Sequence, residues 1–199
     1  MRILLIVLLV LSAAAVVTSR FVPKVAHVSV AGNSHHSTEA VLALAGVRPG
    51  DPLLWVNRGS VRALFEDPWV LSATVIRVWP DEVRVLITER TPLIISGDLA
   101  LSGDGTVLPG ATAAEVARLP RLEGWGTERT AEAIELVRLL EPYEPTVISY
   151  SPAGFEIQLS GGTLLTPGAE ALRAQWSAFV SHRGGRIAVY PWGVSASDE

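Results

Sequence analysis

Residues 3–19, ILLIVLLVLSAAAVVTS, contain no charged side chain, and that run constrains everything after it. As a helix it would extend about 26 Å, the short end of what spans a bilayer. Arg2 and Arg20 bracket the run and are placed to snorkel to the two interfaces. A transmembrane helix over 3–22 is the first expectation, with 1–2 as a cytoplasmic stub. A cleaved signal peptide is its rival, because the run is short and AAA or VTS suits a small-residue cleavage site. Charge does not choose an orientation, since Arg2 and the free amine face Arg20 and Lys24 across the run. Both readings export the chain beyond about residue 20.

The exported part is acidic and has no cysteine. Without Arg2 and Arg20, 14 basic residues face 20 acidic ones, a formal net charge of −6. No basic run offsets this, which argues against nucleic acid and anionic lipid as partners. Lacking disulfides, the exported chain must hold together by core packing.

The clearest local pattern is EDPWVLSATVIRVWPDEVRVLITERTP, Glu66 to Pro92. Ala73, Val75, Arg77 and Trp79 alternate with Thr74, Ile76 and Val78, and Val83, Val85 and Ile87 alternate with Arg84, Leu86 and Thr88. Pro80-Asp81-Glu82 forms the turn between them, so the stretch reads as a hairpin. Ahead of it, KVAHVSVAG is a strand and STEAVLALAG a short helix, with Ser37 as N-cap and Gly46 at C′. Asn57 caps a second helix, RGSVRALFED, which Pro68 stops. The order β-α-α-β-β over 24–92 predicts a small α+β domain with two helices on one face of a three-stranded sheet. Trp55, Trp69 and Trp79 flank its turns and are expected to lock the helices to the hairpin.

Residues 93–193 read as a second domain, a mixed β-sheet with two helices, and 194–199 as a C-terminal tail. LIISGDLALSGDGTVLPG predicts short strands joined by glycine turns, with Asp104-Gly105 as a hairpin signal. Residues 111–126 read as irregular, and LPRLEGWG as a packed loop. TERTAEAIELVRLLEP is an amphipathic helix ended by Pro142. TVISY and GFEIQLS form another hairpin, followed by TLL. Thr166-Pro167 reads as the start of a helix that turns Leu172, Trp176, Phe179 and Val180 inward. RIAVYPWGVSAS is a final strand at the open end of the chain.

The search for chemistry returns no active site. His35-His36 sits on a loop where adjacent side chains diverge and no third ligand follows, so a solvated turn is preferred to a metal site. His27 and His182, the latter beside Arg183 at a helix end, read as structural. Glu89-Arg90 and Asp81-Glu82 read as solvated charge. SGDGT and SGGT lack the lysine and helix start of a phosphate-binding loop, and no nucleophile signature is present. No catalytic residue, cofactor or metal is expected. Interaction chemistry remains: Tyr190 and Trp192 stand on a last strand with little chain left to cover them. They are candidates for strand addition by a partner, against the alternative that Trp192 folds back under the sheet.

These residues resemble the FtsQ/DivIB family of bacterial cell-division proteins. The likeness begins in the polypeptide-transport-associated (POTRA) domain with VSVAGN, GDPLL, PWVLSATVIRVWP and VRVLITERTP. It continues through DGTVLP, LPRLEG, LSGGTLLTPG and IAVYPWGV, over nearly the whole chain. No one of these motifs is specific; their order and spacing carry the resemblance. It implies a membrane-anchored, non-enzymatic division scaffold with the N-terminus in the cytoplasm. It also implies binding to FtsB/DivIC-like and FtsL-like proteins at the septum, linked to septal peptidoglycan synthesis. The partner-binding positions it implies are Val189, Tyr190, Trp192 and Gly193. The chain departs from the family pattern in its two-residue cytoplasmic stub and in Pro191, which removes a donor beside the pairing strand. A POTRA-type receptor or chaperone for export or assembly is the alternative, and it calls for repeated POTRA domains or a barrel.

Overall fold

A computed structural model describes residues 23–197 apart from 57, 125–127 and 183, and gives 58, 60 and 61 as backbone only. The expected transmembrane helix over 3–22 lies outside the described residues, as do the Asn57 cap and Arg183. Among the described residues no helix is long and apolar enough to cross a membrane. The chain divides into two units between Glu89 and Arg90.

The first unit runs β1 (His27–Ala31), α1 (Thr38–Ala45), a 3-10 turn at Leu53–Trp55, α2 (Arg58–Phe65), β2 (Val70–Val78) and β3 (Glu82–Glu89). This is the β-α-α-β-β order that the sequence predicts. β3 is central, with β1 parallel and β2 antiparallel to it. α1 starts where the Ser37 hydroxyl accepts the Ala40 N–H at 3.2 Å, and stops where Gly46 turns left-handed with φ 62°. Val83, Val85 and Ile87 of β3 meet Val41, Ala45, Leu53 and Leu64 in one core, while Arg84, Leu86 and Thr88 face out. Each such buried Val or Leu contributes about 1.5–3 kcal/mol through its removal from water.

Two expectations about this unit need correction. Only Trp69 packs as a lock, at 3% exposure; Trp55 and Trp79 are 77% and 61% exposed. Trp55 sits on the 3-10 turn and Trp79 lies past the last β2–β3 pair, Val78–Glu82, so neither has a sheet beneath it. The second correction concerns Glu89, which is buried rather than solvated, and the His35-His36 turn, which is half-buried with both rings engaged. The Glu89 side chain is 3% exposed. Its carboxylate accepts the backbone N–H of Ser34 at 2.5 Å, of His35 at 2.6 Å and of His36 at 3.0 Å, and the Ser34 hydroxyl at 2.9 Å. The His36 ring lies between Glu89 and Asp67, at 2.9 and 3.2 Å, and His35 stacks on Trp69 with centroids 3.5 Å apart. Burial pushes the Glu89 carboxyl up, but the backbone donors of His35, His36 and Ser34 and the His36 side chain outweigh it, holding it at about 2.

The second unit begins with β4 (Pro92–Ser96), β5 (Leu99–Ser102), β6 (Val107–Leu108), α3 (Ala113–Val116), β7 (Arg121–Gly124) and α4 (Thr130–Leu140). It continues with β8 (Val147–Ser151), β9 (Gly154–Leu159), β10 (Gly162–Thr166), α5 (Ala169–Ala174), α6 (Trp176–Ser181), β11 (Gly185–Tyr190) and β12 (Gly193–Ser197). All nine strands form one sheet in the order β12-β11-β10-β9-β8-β7-β4-β5-β6. The pairs β4–β7, β7–β8 and β10–β11 are parallel and the others antiparallel, so the sheet is mixed as expected. Phe155, Ile157, Leu164, Ile187 and Val189 of the sheet meet Leu136, Val137, Leu140, Leu172 and Phe179 of the helices in its core.

Several local expectations change here. LPRLEG is not a loop: Arg121–Gly124 is an inner strand between β4 and β8, too short for its alternation to be visible in sequence. The stretch before it contains α3, opened by a reciprocal capping box of Thr112 and Glu115. The last helix starts at Ala169, whose N–H donates to Glu132 of α4 at 3.1 Å; Thr166 ends β10 instead, its hydroxyl donating to the Gly168 carbonyl at 2.8 Å. That helix also breaks at Gln175, and Val180 points outward. The expected tail over 194–199 contains most of β12, so the domain does not end at 193.

Candidate partner-binding edge

The single last strand read over RIAVYPWGVSAS is two strands. β11 and β12 form an antiparallel hairpin in which Tyr190 pairs with Gly193 and Val189 with Val194. Pro191 and Trp192 are its two-residue loop. Proline there removes no ladder donor, and its fixed φ suits the first loop position of a turn. The expected conflict between Pro191 and strand pairing is therefore absent. The Gln175 side-chain amide holds the loop by donating to the Pro191 carbonyl at 3.1 Å.

The four residues singled out in the sequence come together but play different parts. Val189 is fully buried in a strand flanked by β10 and β12, so neither its side chain nor its ladder is available. Tyr190 is 42% exposed and Trp192 82%, with rings stacked at 5.3 Å and 9°. Of the two alternatives for Trp192, it is the outward one that the structure adopts. Gly193 opens β12.

Among the described residues the free edge is β12 itself, which sequence reasoning missed. The signal was present: PWG between RIAVY and VSAS carries the proline and glycine of a tight hairpin. Its residues, Gly-Val-Ser-Ala-Ser, include no charge and no proline, the usual guards of an edge. The opposite edge, β6, has two residues. Counting ladder alternation from the closing Tyr190–Gly193 pair, the N–H and C=O of Val194 and Ala196 point away from β11. Beside the hairpin loop runs a groove of about 550 Å³, lined by Phe155, Thr166, Pro167, Val189, Tyr190 and Trp192. An unguarded edge with a stacked aromatic pair and a groove at one end is equipped to take an added strand and a neighbouring side chain.

No group of three or more His, Cys, Asp or Glu residues that could hold a metal occurs among the described residues. Asp104 is the other strongly perturbed carboxylate: the Ser102 hydroxyl and then Arg90 hold it well below the usual carboxylate range. Its partners tie the β5–β6 turn to the chain just ahead of β4, a structural role for the charge.

The two units define a module of recognisable class: a POTRA-like domain followed by a sheet with one open, aromatic-marked side. The family model for the POTRA domain, FtsQ-type, matches residues 24–90. "Cell division protein FtsQ" of Bradyrhizobium diazoefficiens is 28% identical over 135 residues, covering 65% of this chain and 39% of that protein. The protein of the same name from Nitrosospira multiformis is 30% identical over 154 residues, covering 73% and 64%. "Cell division protein DivIB" of Staphylococcus aureus is 27% identical over 133 residues, covering 64% and 29%. The chain belongs to the FtsQ/DivIB family. It spans less than two thirds of the length of these relatives.

Proposed function

We propose that the chain is a non-catalytic, single-pass scaffold of the bacterial division machinery. Residues 3–22 anchor it in the plasma membrane with the N-terminus in the cytoplasm, and the two described units lie outside. It binds FtsB/DivIC-like and FtsL-like membrane proteins at the septum and so links division to septal peptidoglycan synthesis. The names of its relatives support the division role. The observation that carries the binding role is the unguarded β12 edge beside the stacked Tyr190 and Trp192.

In this reading a partner strand lies along Val194 and Ala196, while an apolar partner side chain meets the aromatic pair. Main-chain bonds supply affinity and the aromatic contacts supply selectivity. Val189 acts from within, as the buried floor under the hairpin. The test is affinity of the full chain in detergent for an FtsB/DivIC-like ectodomain from the same cell. Trp192→Ala and Tyr190→Ala should each weaken binding at least about tenfold, or about 1.4 kcal/mol. Unchanged affinity in folded variants would move the site off this hairpin.

A further inference from the structure

We propose that Leu54, Trp55 and Trp79 form an apolar cap that docks into the lipid interface and sets the first unit against the bilayer. The proposal rests on the reading of 3–22 as a membrane anchor. Leu54 is 48% exposed, Trp55 77% and Trp79 61%. Exposed tryptophans at this level are costly in water, and their amphipathic rings favour the headgroup region of a membrane.

Topology puts all three at the end of the sheet where the chain enters. β1 starts at His27 opposite Glu82, the first residue of β3, and β2 ends at Val78 opposite the same Glu82. Trp79 follows directly. The Asp81 carbonyl accepts the N–H of Ala26 at 2.8 Å, which ties the β2–β3 turn to the entering chain. The 3-10 turn is tied there too: the Leu53 N–H donates to the Pro23 carbonyl at 2.8 Å, and Lys24 bridges to Pro52. Arg77, two residues before Trp79, donates to the Leu54 carbonyl at 3.2 Å and joins the two halves of the cap.

Only Arg20, Phe21 and Val22 separate the charge-free run from Pro23. Fully extended, they reach about 10 Å. A cap on the entry end therefore cannot leave the vicinity of the bilayer once the run is inserted. The chain leaves the unit at Glu89, at the other end of β3, about 23 Å away at the rise of a strand. The charges at the entry end are mixed, with Lys24, His27 and Arg77 among Asp51, Asp81 and Glu82. The docking is accordingly apolar and independent of anionic lipid.

The experiment uses the full chain in vesicles of phosphatidylcholine brominated at a shallow acyl position, with tryptophan emission as readout. Flotation of the vesicles first establishes insertion. Wild type should be quenched relative to unbrominated vesicles, and Trp55→Phe/Trp79→Phe should lose the quenching. Leu54→Asp, at an exposed position, should weaken it with the fold intact by circular dichroism. Equal quenching in wild type and the double variant, or none, with the chain floating, overturns the cap and spares the anchor. Quenching that needs anionic lipid overturns the apolar docking. Failure to float overturns the anchor and the cap with it. Shielding of Trp55 and Trp79 only when a second protein is co-reconstituted assigns the patch to that protein and overturns the lipid.

Discussion

Tyr190 and Trp192 stack across the loop that joins the last two strands, 5.3 Å apart and 9° from parallel, while Trp192 keeps 82% of its surface in solvent. The pair is held in place by the hairpin and contributes little to holding it. Trp192→Ala should therefore leave thermal stability unchanged within about 0.5 kcal/mol, as at other exposed sites, even though partner affinity falls. A clear drop in melting temperature would make the ring a packing residue.

Glu89 should make the first unit acid-sensitive. Its folded carboxyl sits at about 2, against an ordinary 4.5. Between those values the unfolded chain takes up a proton that the folded one refuses. The stabilisation is thus complete above about pH 4.5 and is lost as pH falls towards 2, amounting to about 3 kcal/mol. Glu89→Gln should lower stability by a similar amount at pH 7 in urea denaturation and flatten the acid dependence. A wild-type acid slope surviving in the variant would assign it to other carboxylates.

Gly162 should tolerate no side chain. Its φ is 151°, and a Cβ there would run into the Gly185 carbonyl across the parallel β10–β11 pair. Gly162→Ala should lower stability by about 2 kcal/mol or more, read by thermal melting. Because β11 carries β12, partner binding should fall with it. Gly46, with open space around it, serves as the control for positive φ alone.

The sequence made the first unit readable because its signals are local. Alternation in β2 and β3, Pro80 in the turn, Ser37 as cap and Gly46 at the helix end each act within a few residues. Glu89 was opaque for the opposite reason. Its burial depends on three N–H groups more than fifty residues earlier, which nothing in Glu-Arg announces. β7 was hidden likewise, since four residues between two parallel neighbours leave no period to count. The aromatic pair of the site was legible because so little chain follows it. The edge was not, because PWG was read through as strand rather than as the turn that creates β12.

The most direct measurement is amide hydrogen exchange of the full chain with and without the FtsB/DivIC-like ectodomain. Strand addition at β12 predicts that the N–H groups of Val194 and Ala196, which face away from β11, slow markedly on binding, while those of β6 do not. Tight binding with exchange at Val194 and Ala196 unchanged would contradict edge pairing and with it the central claim.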